Sequence, residues 1–496
     1  MRDAILSDPP ALEPFIVEEI LSEEQLAALE ELAAQNGERG GWTEAGSGVL
    51  TQRLGNGAGV TLKHLLPERG ASTWSVTVHA PGGFVSEESG KTGAVAVGLS
   101  VMAQSGCGDL SSVAFERCCG AWGVSVWHEC SPEGTVLRVT ASAESEAHIQ
   151  MGFQALHLLL AAPRFDDESL RRVVREMQEE IRDQRARVEA VVQNEVLKKM
   201  CAEDETRLRE LSCDSLEDLT VDAISAAIRD QLSPGRLEVI IVGALAPEAI
   251  NPLVKQFVGT LPSDHLQKRS AETFKLGLSK AQSKVAVSVI DPTLRAWASL
   301  SFPTVNRWGK CSAIPDEGEW GLRQSRCLSV GLEVLQRKLN TLVGAGPGAL
   351  VSSAHASWAP FELLDLGIVT MEFRPAPHLA SMVAVMHFAK TSLDQVVTGD
   401  FSEEEFFSAR SHLVHVMRRA VASREFWQDA LMNLHFPELC PKTTRMFENV
   451  PEEYSSISKP EVLAALQYAF GGWRERVVEV VGITTPQHAV PHSPAA

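Results

Sequence analysis

The chain has 496 residues, 44% hydrophobic and 22% charged, a balance that can bury a large core and that excludes a disordered or fibrous chain. At roughly 150 residues per domain, the length predicts two to four domains rather than one small module. The 45 Lys and Arg against 64 Asp and Glu leave a net charge of −19, which opposes binding to phosphate backbones and anionic lipid and so argues against nucleic-acid and membrane partners.

Taken in order, the first predicted element is a helix from Pro14 to Gln35, in which Phe15, Ile20, Leu21, Leu26 and Leu29 stand among glutamates. A loop follows from Gly37 to Gly48. Val60 and Leu62, then Trp74, Val76 and Val78, alternate with polar residues and predict two strands, the second closed by Pro81-Gly82-Gly83. A helix is expected from Thr92 to Gln104, and strands from Gly123 to His128 and Val136 to Ala141. After Phe165-Asp166-Asp167-Glu168, apolar residues from Leu170 to Val188 recur at helical spacing, behind acids that suit the positive end of the helix dipole. A helix from Leu216 to Gln231 and an apolar strand from Leu237 to Val242 complete this part.

The rest of the chain repeats the plan, with strands at Val285–Ile290 and Ala296–Phe302 and a helix at Glu319–Thr341. Phe401-Ser402-Glu403-Glu404 matches Phe165-Asp166-Asp167-Glu168 at an offset of 236, Ile457 stands 238 beyond Leu219, and Val481-Gly482 stands 239 beyond Val242-Gly243. Such steady offsets imply an internal duplication. The expected fold class is α+β, with two tandem homologous domains, each a mostly antiparallel sheet with helices packed on one face. The expected division is a linker helix and loop over 1–44, a first repeat over 45–262, a linker over 263–283, a second repeat over 284–485 and a disordered tail over 486–496.

Arg53-Leu54-Gly55-Asn56-Gly57, Ala80-Pro81-Gly82-Gly83, Ala103-Gln104-Ser105-Gly106, Ala162-Pro163-Arg164-Phe165 and Val242-Gly243 occur in an order and at separations that resemble the pitrilysin/insulinase family of zinc peptidases, in particular its long, PqqL-like members. The resemblance covers residues 45–485. It implies halves of two domains each that close around a peptide-cutting chamber. The opening helix of the catalytic domain carries His-x-x-Glu-His, whose histidines bind Zn²⁺ and whose glutamate acts as general base; a later helix adds another glutamate.

No His-x-x-Glu-His occurs in this sequence. If Gly106 matches the glycine after the motif, its histidine positions hold Val97 and Val101 and its glutamate position Ser100. The resemblance then implies the non-catalytic half. Such a half holds no catalytic or metal residue of its own and no cofactor, and works with a zinc-bearing catalytic partner half and with peptides. Family members grip substrate with an Arg and a Tyr of the last domain. Here Arg337 could keep part of that grip, Leu350 stands where Tyr is expected, and Gly346 and Gly348 in the loop between them complete the expected substrate contacts. The alternatives are an active metallopeptidase with its ligands elsewhere and a stand-alone scaffold subunit.

Other constellations favour plainer readings. His412 and His415 share a helix face but lack a third ligand; His128, Glu129 and Cys130 alternate along a strand and diverge. The glycines at 344, 346 and 348 lack a following Gly-Lys-Ser/Thr, and adjacent Cys118 and Cys119 cannot form an ordinary bridge. No run approaches the roughly 18 apolar residues of a membrane span. Residues 1–15 lack the apolar stretch of a signal peptide, and the nine scattered cysteines predict a soluble protein of a reducing intracellular compartment.

Overall fold

The computed structural model describes residues 20–35, 41–66, 73–87, 92–208, 211–263, 269–279, 281–291, 293–314, 320–344, 350–376 and 379–485. Part of the expected first helix, the residues Gly346 and Gly348 and the tail 486–496 lie outside these residues.

The first unit runs α1 (Glu23–Gln35), β1 (Thr43–Gly46), β2 (Val49–Arg53), β3 (Gly59–His64), β4 (Thr73–Pro81), α2 (Ala94–Gln104), α3 (Ser112–Ala121), β5 (Ser125–Cys130), β6 (Gly134–Ser142), α4 (Glu146–Ala161), α5 (Asp167–Arg185), α6 (Val188–Met200), α7 (Cys213–Glu217), α8 (Val221–Gln231), β7 (Glu238–Gly243) and α9 (Pro247–Phe257). The second runs β8 (Ser283–Ile290), β9 (Ala296–Thr304), α10 (Leu322–Asn340), β10 (Val351–Pro360), β11 (Gly367–Pro375), α11 (Leu379–Thr398), α12 (Glu403–Ala420), α13 (Arg424–Ala430), α14 (Val450–Ser455), α15 (Lys459–Phe470) and β12 (Val478–Thr485).

Sheet 1 has the strand order β1-β2-β3-β7-β4-β6-β5 and sheet 2 the order β10-β11-β9-β12-β8. Read from the opposite end, sheet 2 repeats the five strands β3-β7-β4-β6-β5, with the single parallel pair of each sheet at the same place, β3 with β7 and β8 with β12. The fold is thus α+β and duplicated, as expected from the sequence. The hairpin β1–β2 is an addition: β1 and the turn fall in the segment Gly37 to Gly48 that sequence reasoning read as loop, and β2 follows it directly. Its turn through Gly46, Ser47 and Gly48 takes positive φ at all three residues, and those glycines suggested a loop rather than a hairpin.

Strand faces correct one sequence match. Val242 packs with Val49, Ile240 and Trp427 on one side of sheet 1, whereas Val481 packs against the second unit's own helices, so pairing them at 239 equates opposite faces. Leu237 and Val477, 240 apart, both face their own helices. A one-residue slip inverts every side chain of a strand, and landmark matching alone does not detect it.

The long helix expected through Val188 breaks at Ala186, which caps α5, and α6 begins at Val188. Facing direction explains the break. Leu170, Val173 and Ile181 of α5 pack toward α2 and α8, while Val188, Val192, Val196 and Met200 of α6, one helical turn apart, are buried against Val289, Ile368, Val478 and Val480 of the second unit. The helix expected from Leu216 to Gln231 divides likewise, at Thr220, whose hydroxyl accepts from the Ala223 N–H and caps α8. The exchange is reciprocal: α13 of the second unit lays Trp427 and Leu431 against Val49, Ile240 and Val242 of sheet 1. Each sheet carries its own helices on one face and a helix lent by the other unit on part of the other.

Candidate functional site

The helix singled out by the missing motif is α2. Its start is fixed by Glu87, whose carboxylate accepts the N–H groups of Gly93 (2.6 Å) and Val95 (2.7 Å). Burial pushes this carboxyl up while those two amides pull it down, and the net shift is upward. Along α2 the residues sort by face. Val95, Leu99 and Met102 enter the core over sheet 1; Val97 and Val101 are fully buried on another side with Leu170, Val173, Ile181, Leu216 and Ile224. Gly98 lets α8 approach so closely that an added Cβ would come within 2.7 Å of Ile228.

Between α2 and α5, therefore, lies an apolar cluster whose buried members are Val, Leu and Ile, with Cys213 at its margin. Among the described residues no group of three or more His, Cys, Asp or Glu is arranged to hold a metal ion. The polar side of α2 is Ser100, whose hydroxyl lies 3.3 Å from His128 Nε2 on β5. Burial lowers the proton affinity of His128, and among the described residues it forms no ion pair that would orient it as a base. Among the described residues, serine and imidazole meet here without the third group a nucleophilic relay needs.

Beside this helix lies a cavity of about 450 Å³, lined by Gly93, Ala96, Cys130, Met177, Ile181 and Leu208 among others. It opens at the end of β5, the outer strand of sheet 1. Alternation along β5 turns His128 toward α2 and leaves Trp127 on the other face, 46% exposed, with the Arg138 guanidinium 5.2 Å from its ring centre. Burial pushes the Cys130 thiol up to about 12, which disfavours the reactive thiolate. His128, Glu129 and Cys130 diverge, as their strand positions require.

Arg337 sits on α10, where Nε donates to Glu333 Oε1 (2.8 Å) and Nη1 to Ser408 Oγ (2.8 Å), both partners within the second unit. It borders a polar cavity of about 520 Å³ together with Lys338, Thr341, Gln395 and Glu405. Leu350 is partly exposed at 44%. His412 lies 4.0 Å from the same Glu333 and, like His415, faces solvent. Cys118 and Cys119 are buried in the first unit's core.

Sequence reasoning missed the polar seam between the units. Glu238 at the start of β7 is wholly buried, accepts from His79 Nδ1 (2.9 Å), and accepts the main-chain N–H groups of Asn433 and His435, the latter at 3.1 Å. Glu133, in the β5–β6 turn, accepts the N–H groups of Glu362 (3.1 Å), Leu363 and Leu364 (2.7 Å). Two carboxylates of the first unit thus hold five amides of the second. The one available sign was a glutamate opening an otherwise apolar strand, Glu238 before Val239 to Val242.

The duplicated α+β fold, with α2 packed against α5 and α8 through Val97 and Val101, defines the class of structure to which the comparisons apply. Residues 218–413 match the family described as the Peptidase M16 inactive domain. Over 268 residues, 53% of this chain, it is 27% identical to the chloroplastic stromal processing peptidase of Pisum sativum, and that match spans 21% of the plant protein. The fold is similar to the periplasmic protease PqqL of Escherichia coli, with a TM-score of 0.73, 15% identity and coverage of 91% of this chain and 47% of PqqL. It is similar also to a peptidase M16 inactive domain from Pseudomonas fluorescens, with a TM-score of 0.70, 14% identity and coverage of 88% of this chain and 98% of that one. The chain is thus similar to the M16 (pitrilysin/insulinase) peptidases, and its residues 218–413 match the inactive domain of that family. It spans about half the length of PqqL, and its match spans about a fifth of the curated plant relative. Among the described residues no helix is long and apolar enough to cross a membrane.

Proposed function

We propose that this chain is the non-catalytic half of an M16 zinc endopeptidase and forms the peptide-binding wall that faces a catalytic half. The observation that carries the reading is the cluster of Val97, Val101, Leu170 and Val173: the helix pair that would bring ligands together is packed with side chains that cannot bind metal. In this reading Val97, Ser100 and Val101 occupy the motif positions, zinc belongs to the partner half, and the domains are residues 45–262 and 284–485 joined by 263–283. The match to about half of PqqL supports a second half of comparable size, in the same chain or another.

The edge of β5, outermost in sheet 1 among the described residues, the cavity at its end and exposed Trp127 suit an extended peptide that adds a strand and buries a side chain. Arg337, Gly346 and Gly348 remain proposed contacts from the second unit. The charge of −19 favours basic peptides or a basic partner surface, with binding that weakens as salt rises. The protein is proposed to work in a reducing intracellular compartment.

The test is elemental analysis of the purified chain, a quenched-peptide cleavage assay, and affinity purification from its own cells with mass spectrometry. The expected result is no stoichiometric zinc, no cleavage by the chain alone, and a companion or upstream segment carrying His-x-x-Glu-His. One zinc per chain with chelator-sensitive cleavage would overturn the reading in favour of an active enzyme.

A further inference from the structure

We propose that the strap from α13 to Thr444 is an acid-released latch between the two units, and that protonation of His435 opens it. The strap crosses the face of sheet 1 that the first unit's own helices leave free. Trp427 and Leu431 anchor it in the apolar cluster, the Gln428 side chain donates to Ser75 Oγ, and the Thr444 hydroxyl donates to the Ala45 carbonyl. Between these anchors it depends on one polar knot. Glu238 holds the amides of Asn433 and His435, Arg53 Nη2 donates to the His435 carbonyl (3.0 Å), and His435 Nε2 lies 3.0 Å from Thr61 Oγ1.

The His435 ring has no slack. It lies over Gly59 so closely that an added Cβ there would come within 2.2 Å of it. Its charged surroundings come from several elements. β2 contributes the Arg53 cation, which disfavours a second positive charge. β7 contributes Glu238, which favours it, but both carboxylate oxygens already serve His79 and the two amides. Within the strap, Lys442 and Asn433 bind Glu362, which also pairs with Arg307 at 3.2 Å, so that carboxylate too is engaged.

Burial is the largest influence on His435 and lowers its proton affinity; Glu238 and a backbone hydrogen bond with Val60 of β3 oppose it, Arg53 reinforces it, and the net shift is downward. The latched state therefore holds the ring neutral. A group whose native pKa is depressed below its unfolded value near 6.5 contributes stability that is fully present above that value and is lost as pH falls through it. Glu133 works in the opposite sense: burial raises its carboxyl, so its contribution is greatest in acid and it cannot be the trigger. His79 lies on β4, outside the strap, and meets Glu238 Oε1 at 2.9 Å, so it serves as the comparison site.

Cys440 supplies a built-in reporter. It lies within the strap, fully buried in the core where the units meet, while Cys107 is fully buried inside the first unit. Thiolate fraction and reagent reactivity change with pH at both thiols alike, so a rise in Cys440 labelling relative to Cys107 reports exposure of the strap. The experiment treats the full chain with 4,4′-dithiodipyridine at pH 7.5 and pH 5.5 and reads Cys440 and Cys107 separately by mass spectrometry. The expected result is a rise of about tenfold in Cys440 labelling relative to Cys107 at the lower pH. That rise is lost in His435→Gln, which keeps polar contacts without titrating, and kept in His79→Gln. An equal rise at Cys107 would mean general loosening, to which buried His128 and His157 would also contribute, and would overturn the latch. A Cys440 rise that survives in His435→Gln, or no rise at all, would overturn it as well.

Discussion

The two lent elements bury the same kind of surface, the free face of a sheet, by different means. On sheet 2, α6 contributes Val188, Val192, Val196 and Met200, none more than 4% exposed, to an almost wholly apolar seam. On sheet 1, α13 and the strap bring two apolar anchors and then a run of hydrogen bonds centred on Glu238. The apolar seam is non-directional and gains free energy with area; the polar one is costly to desolvate and holds only while every donor has its acceptor. The α6 seam therefore supplies adhesion, and the strap supplies register and a point at which protonation can act.

The sharpest way to break the comparison is to place a charge in the apolar seam. Val192→Asp, at a fully buried position, is expected to destabilise the chain by more than about 4 kcal/mol and to unfold the pair of units together in a denaturant titration. Gly482 tests the same contact from the strand side. A Cβ there would stand 2.6 Å from both Val188 and Val192, so Gly482→Val should cost about 1–3 kcal/mol by overpacking. Full stability in both variants would show that the seam contributes little.

Next in size is the polar seam. Glu238→Ala leaves the Asn433 and His435 amides and the His79 Nδ1 group without their acceptor in a buried site, which at about 1–3 kcal/mol for each unsatisfied group predicts a loss of at least about 3 kcal/mol. Glu238→Gln keeps the shape and one acceptor and should lose about half as much. Amide exchange at the strap should accelerate in both variants while exchange in α6 stays slow. Equal acceleration in the two elements would mean that the seams are one cooperative unit.

How much of this was legible in the sequence depends on how local the signal is. β3, β4, β8 and β9 follow their own alternation, and α12 announces itself through Ser402 and Glu405, whose reciprocal capping bonds the structure contains. The duplication was visible because landmarks recur, yet the one-residue slip at Val481 was not, since only pairing partners fix which face a strand residue takes. The stripe of Val188, Val192, Val196 and Met200 reads as a continuation of α5 until a second sheet is present to receive it. Glu238 and Glu133 were invisible as a pair: each holds amides from residues on the far side of a chain separation of 195 or more, and no local pattern encodes that. At α2 the situation reverses: that His-x-x-Glu-His does not occur is read from the sequence, while the packing of Val97 and Val101 against α5 is seen only in the structure.

The last comparison moves the Glu238 chemistry to the surface. Glu461 also accepts a main-chain N–H, from Ser458 at 2.9 Å, and it receives Arg323 Nε at 2.7 Å, which ties α15 to α10. Its side chain is 39% exposed and that of Arg323 is 41% exposed, so water and salt screen the pair that in a buried seam would dominate. The Arg323 hydrogen bond, then those from Ser458, hold the Glu461 carboxyl down to about 2. A depressed carboxylate contributes stability above its unfolded pKa, near 4.5, and loses it as pH falls toward 2, the opposite end of the scale from His435. Glu461→Gln keeps the capping box, because glutamine can also reach back to the Ser458 N–H, and removes only the charge. The expected change at pH 7 is about 0.5 kcal/mol or less and should shrink further in high salt. Glu461→Ala removes cap and charge together and should cost about 1 kcal/mol. If Glu461→Gln instead cost as much as Glu238→Gln, burial would not be what separates the two carboxylates, and the contrast between the strap and the molecular surface would fail.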